Sequence, residues 1–169
     1  MLIDLTPAHG PALAAFLADF AAAGEARIPA YFSDLDWPIE RVVDAVSAWA
    51  RGEQLGPGWV PCTTWFFEQG GDLLGVVNVR HHLTERLRHF GGHIGYSVRP
   101  SARGRGVATA LLAATLPRVR AMGIQDVLLT CDPGNVASRR TIERNGGVLE
   151  DEALYAPEGK VVRTYWIRG

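Results

Sequence analysis

The stretch Val98-Arg99-Pro100-Ser101-Ala102-Arg103-Gly104-Arg105-Gly106-Val107-Ala108-Thr109 decides the reading of this chain. An apolar strand ends at Val98, a turn punctuated by glycine follows, and a helix rich in Ala and Leu runs from Gly106 to Met122, closed by Gly123. The first turn of a helix carries backbone N–H groups without partners inside the helix and a partial positive charge. Gly104 and Gly106 let that backbone approach a ligand closely, and Arg103 and Arg105 add charge that pairs with phosphate oxygens. The stretch therefore suits a phosphate or pyrophosphate. Two common phosphate loops are excluded. The Walker pattern requires a Lys that is absent here, and the dinucleotide pattern G-x-G-x-x-G is only partly met, its acidic ribose partner falling at Asp126 on the wrong side of a strand start. An Arg- and Gly-rich helix start without a ligand is the alternative reading of the same residues.

The neighbouring segments place this turn in an alternating α/β chain. Downstream, Val127 to Cys131 is an apolar run suited to a buried strand. Asn135 to Asn145 predicts a short helix ended by Gly146-Gly147, and Val148 to Tyr155 with Val161 to Ile167 predicts a strand pair around Pro157-Glu158-Gly159. Upstream, strands at Thr63 to Glu68 and Leu73 to Arg80 are joined by the turn signal Gln69-Gly70-Gly71-Asp72, and His93 to Val98 is the next strand. The polar stretch Thr84 to Arg88 reads as a loop. Met1 to Leu5 predicts a short edge strand, and Thr6-Pro7 an N-cap and first-turn proline. Leu13, Phe16, Leu17 and Phe20 then recur at helical spacing to about Ala23. Glu25 to Trp37 has no period and reads as a loop, Pro38 opens a second helix through Val42, Val43, Val46 and Trp49, and Gly52 to Pro61 is a connector within the domain. The order β-α-α-β-β-β-α-β-α-β-β predicts a mixed α/β fold over residues 1–169 as one domain.

Composition removes several classes of function. Of 17 basic residues among 169, Lys160 alone is Lys, which leaves sixteen Arg, yet 18 carboxylates bring the net charge to −1. That balance speaks against bulk capture of nucleic acid or of an anionic membrane. No stretch approaches the ~18 apolar residues of a membrane span, and the best, Pro11 to Ala23, holds Asp19. The N-terminus carries Asp4 and no basic residue ahead of an apolar run, so no signal peptide is expected. Cys62 and Cys131 form neither a metal pattern nor a disulfide framework, and a reducing, cytoplasmic setting follows as the expectation, with no metal.

In these segments the chain resembles the GNAT superfamily of N-acetyltransferases. Arg103-Gly104-Arg105-Gly106-Val107-Ala108 fits the signature [QR]-x-x-G-x-[GA], after a fourth strand and opening the third predicted helix. Leu129-Thr130-Cys131-Asp132-Pro133-Gly134-Asn135-Val136-Ala137-Ser138 is similar to that family's fifth strand and the Asn-x-x-Ser start of its next helix, and Ile142 to Glu150 to the helix end and sixth strand. The phrases Val79-Arg80-His81-His82, Gly92-His93-Ile94-Gly95-Tyr96 and Tyr165-Trp166-Ile167 resemble one group of bacterial acetyltransferases. The resemblance covers most of the chain. It implies a mixed, mostly antiparallel twisted sheet flanked by helices, with the fourth and fifth strands splayed for acetyl-CoA as co-substrate. The pyrophosphate would lie on the backbone of Arg103, Gly104, Arg105, Gly106, Val107 and Ala108, with Thr109 adjacent. The pantetheine arm would bond near Val98, and Asn135 and Ser138 would lie by the thiol. Arg139 or Arg140 would reach toward the 3′-phosphate.

Acyl transfer to an amine needs a neutral amine, a stabilised oxyanion and a protonated leaving thiol. A backbone N–H near Val98 is the expected oxyanion donor. Candidates for the base are His93, which stands where many relatives place a Glu, then His81 or His82, which alternation puts on opposite faces, and Glu68, acting through water. A hydrogen-bonded strand histidine is the plain alternative for each His. The helix position where many relatives carry a general-acid Tyr is Ile142 here, so Ser138 is expected to assist at the sulfur; Tyr96 is the other nearby phenol, with packing its expected role. Cys131 as a covalent nucleophile is not expected.

On the acceptor side, the loop holding Glu25, Arg27, Tyr31, Asp34, Asp36 and Trp37 is expected to border a small-molecule or peptide amine, though each residue also reads as solvated surface. Trp59, Trp65, Phe66 and Phe67 either line a pocket or pack the core. The expected function is an acetyl-CoA-dependent N-acetyltransferase acting on a primary amine. An acyl-CoA-binding module without turnover is the alternative, motivated by Ile142. An exposed last strand pair would support a homodimer.

Overall fold

The computed structural model describes residues 1–25 and 37–169. Four of the six acceptor-loop residues named above, Arg27, Tyr31, Asp34 and Asp36, lie outside the described residues. Two antiparallel sheets carry the chain. The first has the order β1 (Leu2–Ile3), β2 (Cys62–Gln69), β3 (Asp72–Arg80), β4 (Ile94–Val98), and the second the order β5 (Val127–Cys131), β7 (Lys160–Ile167), β6 (Val148–Tyr155). Helices α1 (Gly10–Ala22) and α2 (Ile39–Ala50) pack on one face of the first sheet. Helix α4 (Val107–Ala121) packs on the other, against α5 (Val136–Arg144). This is the mixed α/β architecture expected, with the separation of β4 from β5 dividing the two sheets.

Period-2 alternation sorts β3 and its neighbours between two cores. Val77, Val79 and Trp65 join Leu111, Leu112, Val127, Leu129 and Tyr165 under α4. Val76 and Phe66 meet Leu13, Phe16 and Phe20 of α1, where Phe16 crosses Phe66 edge-on at 5.7 Å, and Leu73 joins them because the β2–β3 register shifts between Phe67 and Glu68. Trp65 and Phe66 are therefore core residues. Trp59 packs edge-on to Trp49 at 5.8 Å against the buried Cys62.

Two expectations are corrected. The polar stretch after β3 is not a loop: Glu85–His89 forms a short helix, α3, because the Thr84 hydroxyl accepts the Leu87 N–H and caps it. The first strand is only Leu2–Ile3, paired with Phe67 and Phe66, with Met1 bonded to the Glu68 backbone ahead of it. Strand β6 is exposed along nearly its whole length because it lies outermost in its sheet. Among the described residues no helix is long and apolar enough to cross a membrane.

Candidate active site

Strand β4 reaches the cleft by hydrogen-bond parity. The Arg80 N–H donates to the His93 carbonyl and the Arg99 N–H to the Leu74 carbonyl, with an unbroken register between them. In an antiparallel ladder alternate residues direct both backbone groups at the partner strand. Gly95 and Ser97 therefore face β3 with both groups, Arg99 with its N–H, and His93 with its carbonyl alone. Ile94, Tyr96 and Val98 turn their N–H and C=O groups to the open side, where β5 stands apart.

His93 is where the two sheets are stitched together. Its N–H donates to the Leu128 carbonyl at 2.8 Å, and its ring Nδ1 accepts the Leu128 N–H at 2.9 Å. The ring is buried. Burial, with Arg88 and Arg80 nearby, pushes its pKa down to about 4. An imidazole that accepts at Nδ1 carries its proton on Nε2, so its one basic lone pair is already used. Gly92 permits this approach: its φ is +63°, and a Cβ there would stand 2.5 Å from the Leu128 carbonyl oxygen. Beyond the stitch the strands separate around a cavity of about 350 Å³.

Tyr96, Ser138 and Asn135 meet in that cavity. The Tyr96 hydroxyl lies 3.0 Å from Ser138 Oγ, and burial holds the phenol above its usual range despite hydrogen bonds with Ser138 and Thr141. Asn135 is the N-cap of α5, its Oδ1 accepting the Ser138 N–H at 3.0 Å, so the Asn-x-x-Ser spacing is a helix cap that fixes the serine beside the phenol. Ile142 is fully buried in the core and does not line the cavity.

The turn of the quoted stretch leaves its backbone open. Gly104 and Gly106 take φ of +73° and +78°, and open space surrounds both. Gly106 is the N-cap of α4, and no side chain caps that helix, which leaves its first-turn N–H groups outward. The arginines are deployed differently from the expectation. Arg103 Nε donates to the Val98 carbonyl at 3.0 Å, and its guanidinium forks onto Glu25. Arg103 therefore braces the loop. Asp19 holds the other side, taking Arg99 Nε at 2.9 Å and the Ser101 hydroxyl at 2.6 Å; those bonds keep its carboxyl down to about 2. Arg105 stays exposed, with one bond to the Ser101 carbonyl.

Other sequence candidates lie elsewhere. The Glu68 carboxylate accepts the Gly71 N–H at 2.7 Å, capping the β2–β3 hairpin away from the cleft lining. His81 bonds Thr63 across β2 and β3, and neither it nor His82 lines the cavity. Arg139 and Arg140 sit on α5 outside the lining. Burial raises the Cys131 thiol, the wrong direction for a nucleophile. Sequence reasoning missed Arg80, Phe90, Asp132 and Lys160, which do line the cleft. Asp132 stands within a quoted motif. Arg80 does too, ending β3 with its guanidinium on the Gly91 and Gly92 carbonyls, whereas Phe90 and Lys160 come together because the β6–β7 hairpin folds onto α3, with Arg86 on Glu158 at 2.8 Å and Tyr155 stacked on Phe90 at 5.7 Å.

The profile of the acetyltransferase (GNAT) domain family matches residues 1–148. The chain belongs to that family, and so to the acyltransferases. No curated protein sequence matches it as a relative. Solved GNAT structures share the fold at low identity. RimJ of Mycobacterium smegmatis, in complex with a CoA-disulfide, aligns with a TM-score of 0.71 at 20% identity, over 99% of this chain and 81% of that one. An acetyltransferase from Salmonella typhimurium that modifies the N-terminal serine of ribosomal protein L7/L12 gives 0.68 at 19%, over 99% and 94%. The microcin C7 self-immunity acetyltransferase MccE, with acetyl-CoA and AMP, gives 0.67 at 16%, over 99% and 91%. Among the described residues no cluster of three or more His, Cys, Asp or Glu gathers as metal ligands.

Proposed function

We propose that this GNAT protein transfers an acetyl group from acetyl-CoA directly to the primary amine of a small molecule or a peptide. The single observation that carries the reading is the cleft between β4 and β5, which holds the Tyr96–Ser138 pair and whose strand β4 leads on to the uncapped α4 N-terminus. CoA complexes of proteins with this fold support the choice of donor.

The backbone N–H groups from Gly104 to Ala108 take the pyrophosphate, the Arg103 N–H being given to the Pro100 carbonyl, and the outward edge of β4 bonds the pantetheine amides. The Val98 N–H points to the open side and donates to the carbonyl oxygen as it becomes an oxyanion. The amine nitrogen bonds the carbonyl carbon and the carbon–sulfur bond breaks. Tyr96 supplies a proton to the leaving sulfur through Ser138 Oγ, and its raised pKa keeps it protonated until that moment. This assigns Tyr96 the proton that Ile142 cannot give. His93 acts as a positioning residue that sets where the strands part. Asp132, the one carboxylate of the lining among the described residues, takes the proton lost by the amine, through water. Two copies pairing through the exposed β6–β7 edge is compatible with this reading, as is a cytoplasmic location.

The test is thiol release from acetyl-CoA over a broad panel of amines, with the acetylated product read by mass. Release that depends on amine and falls in Tyr96→Phe supports transfer. Tight CoA binding with no release from any amine supports instead a binding module without turnover.

A further inference from the structure

From the lining of the cleft we infer that the substrate amine also carries a carboxylate, and that Lys160 is the residue that selects for it. This rests on the transfer reading above and names the substrate class of the same site.

Two groups of residues line the cavity. Tyr96, Ser138 and Asn135 are the donor group. Lys160, which begins β7, has its Nζ 6.0 Å from the centre of the Phe90 ring, and Phe90 and Val162 are apolar members of the same lining. The charges there do not cancel. Arg80 and Lys160 are cations, and Asp132 is the one carboxylate of the lining among the described residues.

The two cations are not equivalent. Arg80 Nη1 is committed to the Gly91 and Gly92 carbonyls at 3.0 Å each, holding the turn that leads into His93. The nearby carboxylate of Glu158 is paired with Arg86. Among the described residues no carboxylate lies within ion-pair distance of Lys160. It therefore keeps three donors for an anion, set on an aromatic face that restrains its long stem. Asp132 is half committed as well, since its Oδ1 accepts the Gly134 N–H at 2.7 Å.

A ligand that satisfies this cleft has an amine beside Tyr96, a short apolar body along Phe90 and Val162, and a carboxylate at Lys160. A cavity of about 350 Å³ takes a molecule of amino-acid size or the first residues of a peptide. A polyamine with several ammonium groups would instead place a second cation beside Lys160 and Arg80. The same chemistry could come from a free amino acid or from a peptide with an acidic second residue.

The experiment uses matched acceptors that differ in one group: an amino acid and its amide, and two short peptides with Glu or Gln at the second position. Each is assayed with the wild-type protein, Lys160→Met and Lys160→Arg. Lys160 is exposed, so a charge-assisted contact there predicts that the carboxylate member of a pair is preferred by about fivefold in kcat/KM, mostly through KM. Lys160→Met erases the preference, and Lys160→Arg restores most of it. The pair that shows the effect identifies the free or the peptide source. Calorimetric binding of the same pairs to the CoA-saturated protein gives the preference without turnover. Equal use and equal binding of acid and amide, or an unchanged preference in Lys160→Met, overturns the inference. Turnover without that preference leaves the transfer reading standing, whereas absence of turnover with preserved carboxylate selectivity in binding refutes transfer alone.

Discussion

His93 makes the stability of this protein depend on pH in a window where most carboxylates do not titrate. The folded ring is neutral, buried and bonded to the Leu128 N–H, with its pKa pushed down from the ordinary 6.5 to about 4. The unfolded chain protonates the same ring near 6.5. Between the two values the unfolded state binds the extra proton, so stability is fully present above about 6.5 and is lost as pH falls toward 4. One proton bound only by the unfolded chain costs about 1.4 kcal/mol for each step of one in pH, so the loss is about 2 kcal/mol by pH 5 and about 3 kcal/mol by pH 4. Other groups also titrate as pH falls, so the control must remove only this one. His93→Asn keeps an oxygen acceptor close to the position of Nδ1 and does not titrate. Urea unfolding of both proteins at several pH values between about 4.5 and 8 isolates the difference. His93→Asn should be the less stable protein at pH 8, through the lost ring packing, and the gap should narrow or invert by pH 5. Parallel pH curves for the two proteins would refute the neutral stitch and return His93 to the candidates for a base.

Three more outcomes follow from the same geometry. Gly92→Ala puts a Cβ 2.5 Å from a backbone oxygen at a positive φ, so denaturant unfolding should show a loss of at least about 2 kcal/mol; a change within about 0.5 kcal/mol would mean the strands do not approach as described. Tyr96→Phe should lower kcat by about 100-fold while CoA affinity changes by less than about twofold, and an unchanged kcat would remove the phenol from the proton path. Glu25→Ala should weaken CoA binding although Glu25 lies outside the turn, because it frees the Arg103 guanidinium that braces the loop; an affinity equal to the wild type, measured by calorimetry, would show the brace to be dispensable.

The fold is legible in the sequence because its signals are local. Alternation along β3, helical spacing at Leu13, Phe16, Leu17 and Phe20, and glycines at strand and helix ends each depend on a few neighbouring residues. The Thr84 cap is visible in principle, but five residues carry too little period to mark α3. In the site, the turn and the Asn135–Ser138 pair can be read as motifs, since each is a helix start with its own spacing. The role of His93 cannot. Its partner Leu128 is 35 positions away, and the same residue type serves as a base or as a strut depending on that contact. Arg103 shows the same limit. A phosphate ligand and a bidentate partner of Glu25 look alike until the chain brings Glu25 across 78 positions. Lys160 stands out in the sequence only as the single lysine of the chain, and its place in the cleft depends on the Arg86–Glu158 contact that folds the last hairpin onto α3.

The most direct test of acetyl-CoA binding at the glycine turn is calorimetric titration of acetyl-CoA into the wild-type protein and into Gly106→Asp. One site per chain, displaced by CoA, is expected in the wild type. Binding should be lost in the variant, where a carboxylate and a strained φ replace the open glycine at the helix N-terminus. No heat of binding at millimolar acetyl-CoA, or equal affinity in Gly106→Asp, would contradict it.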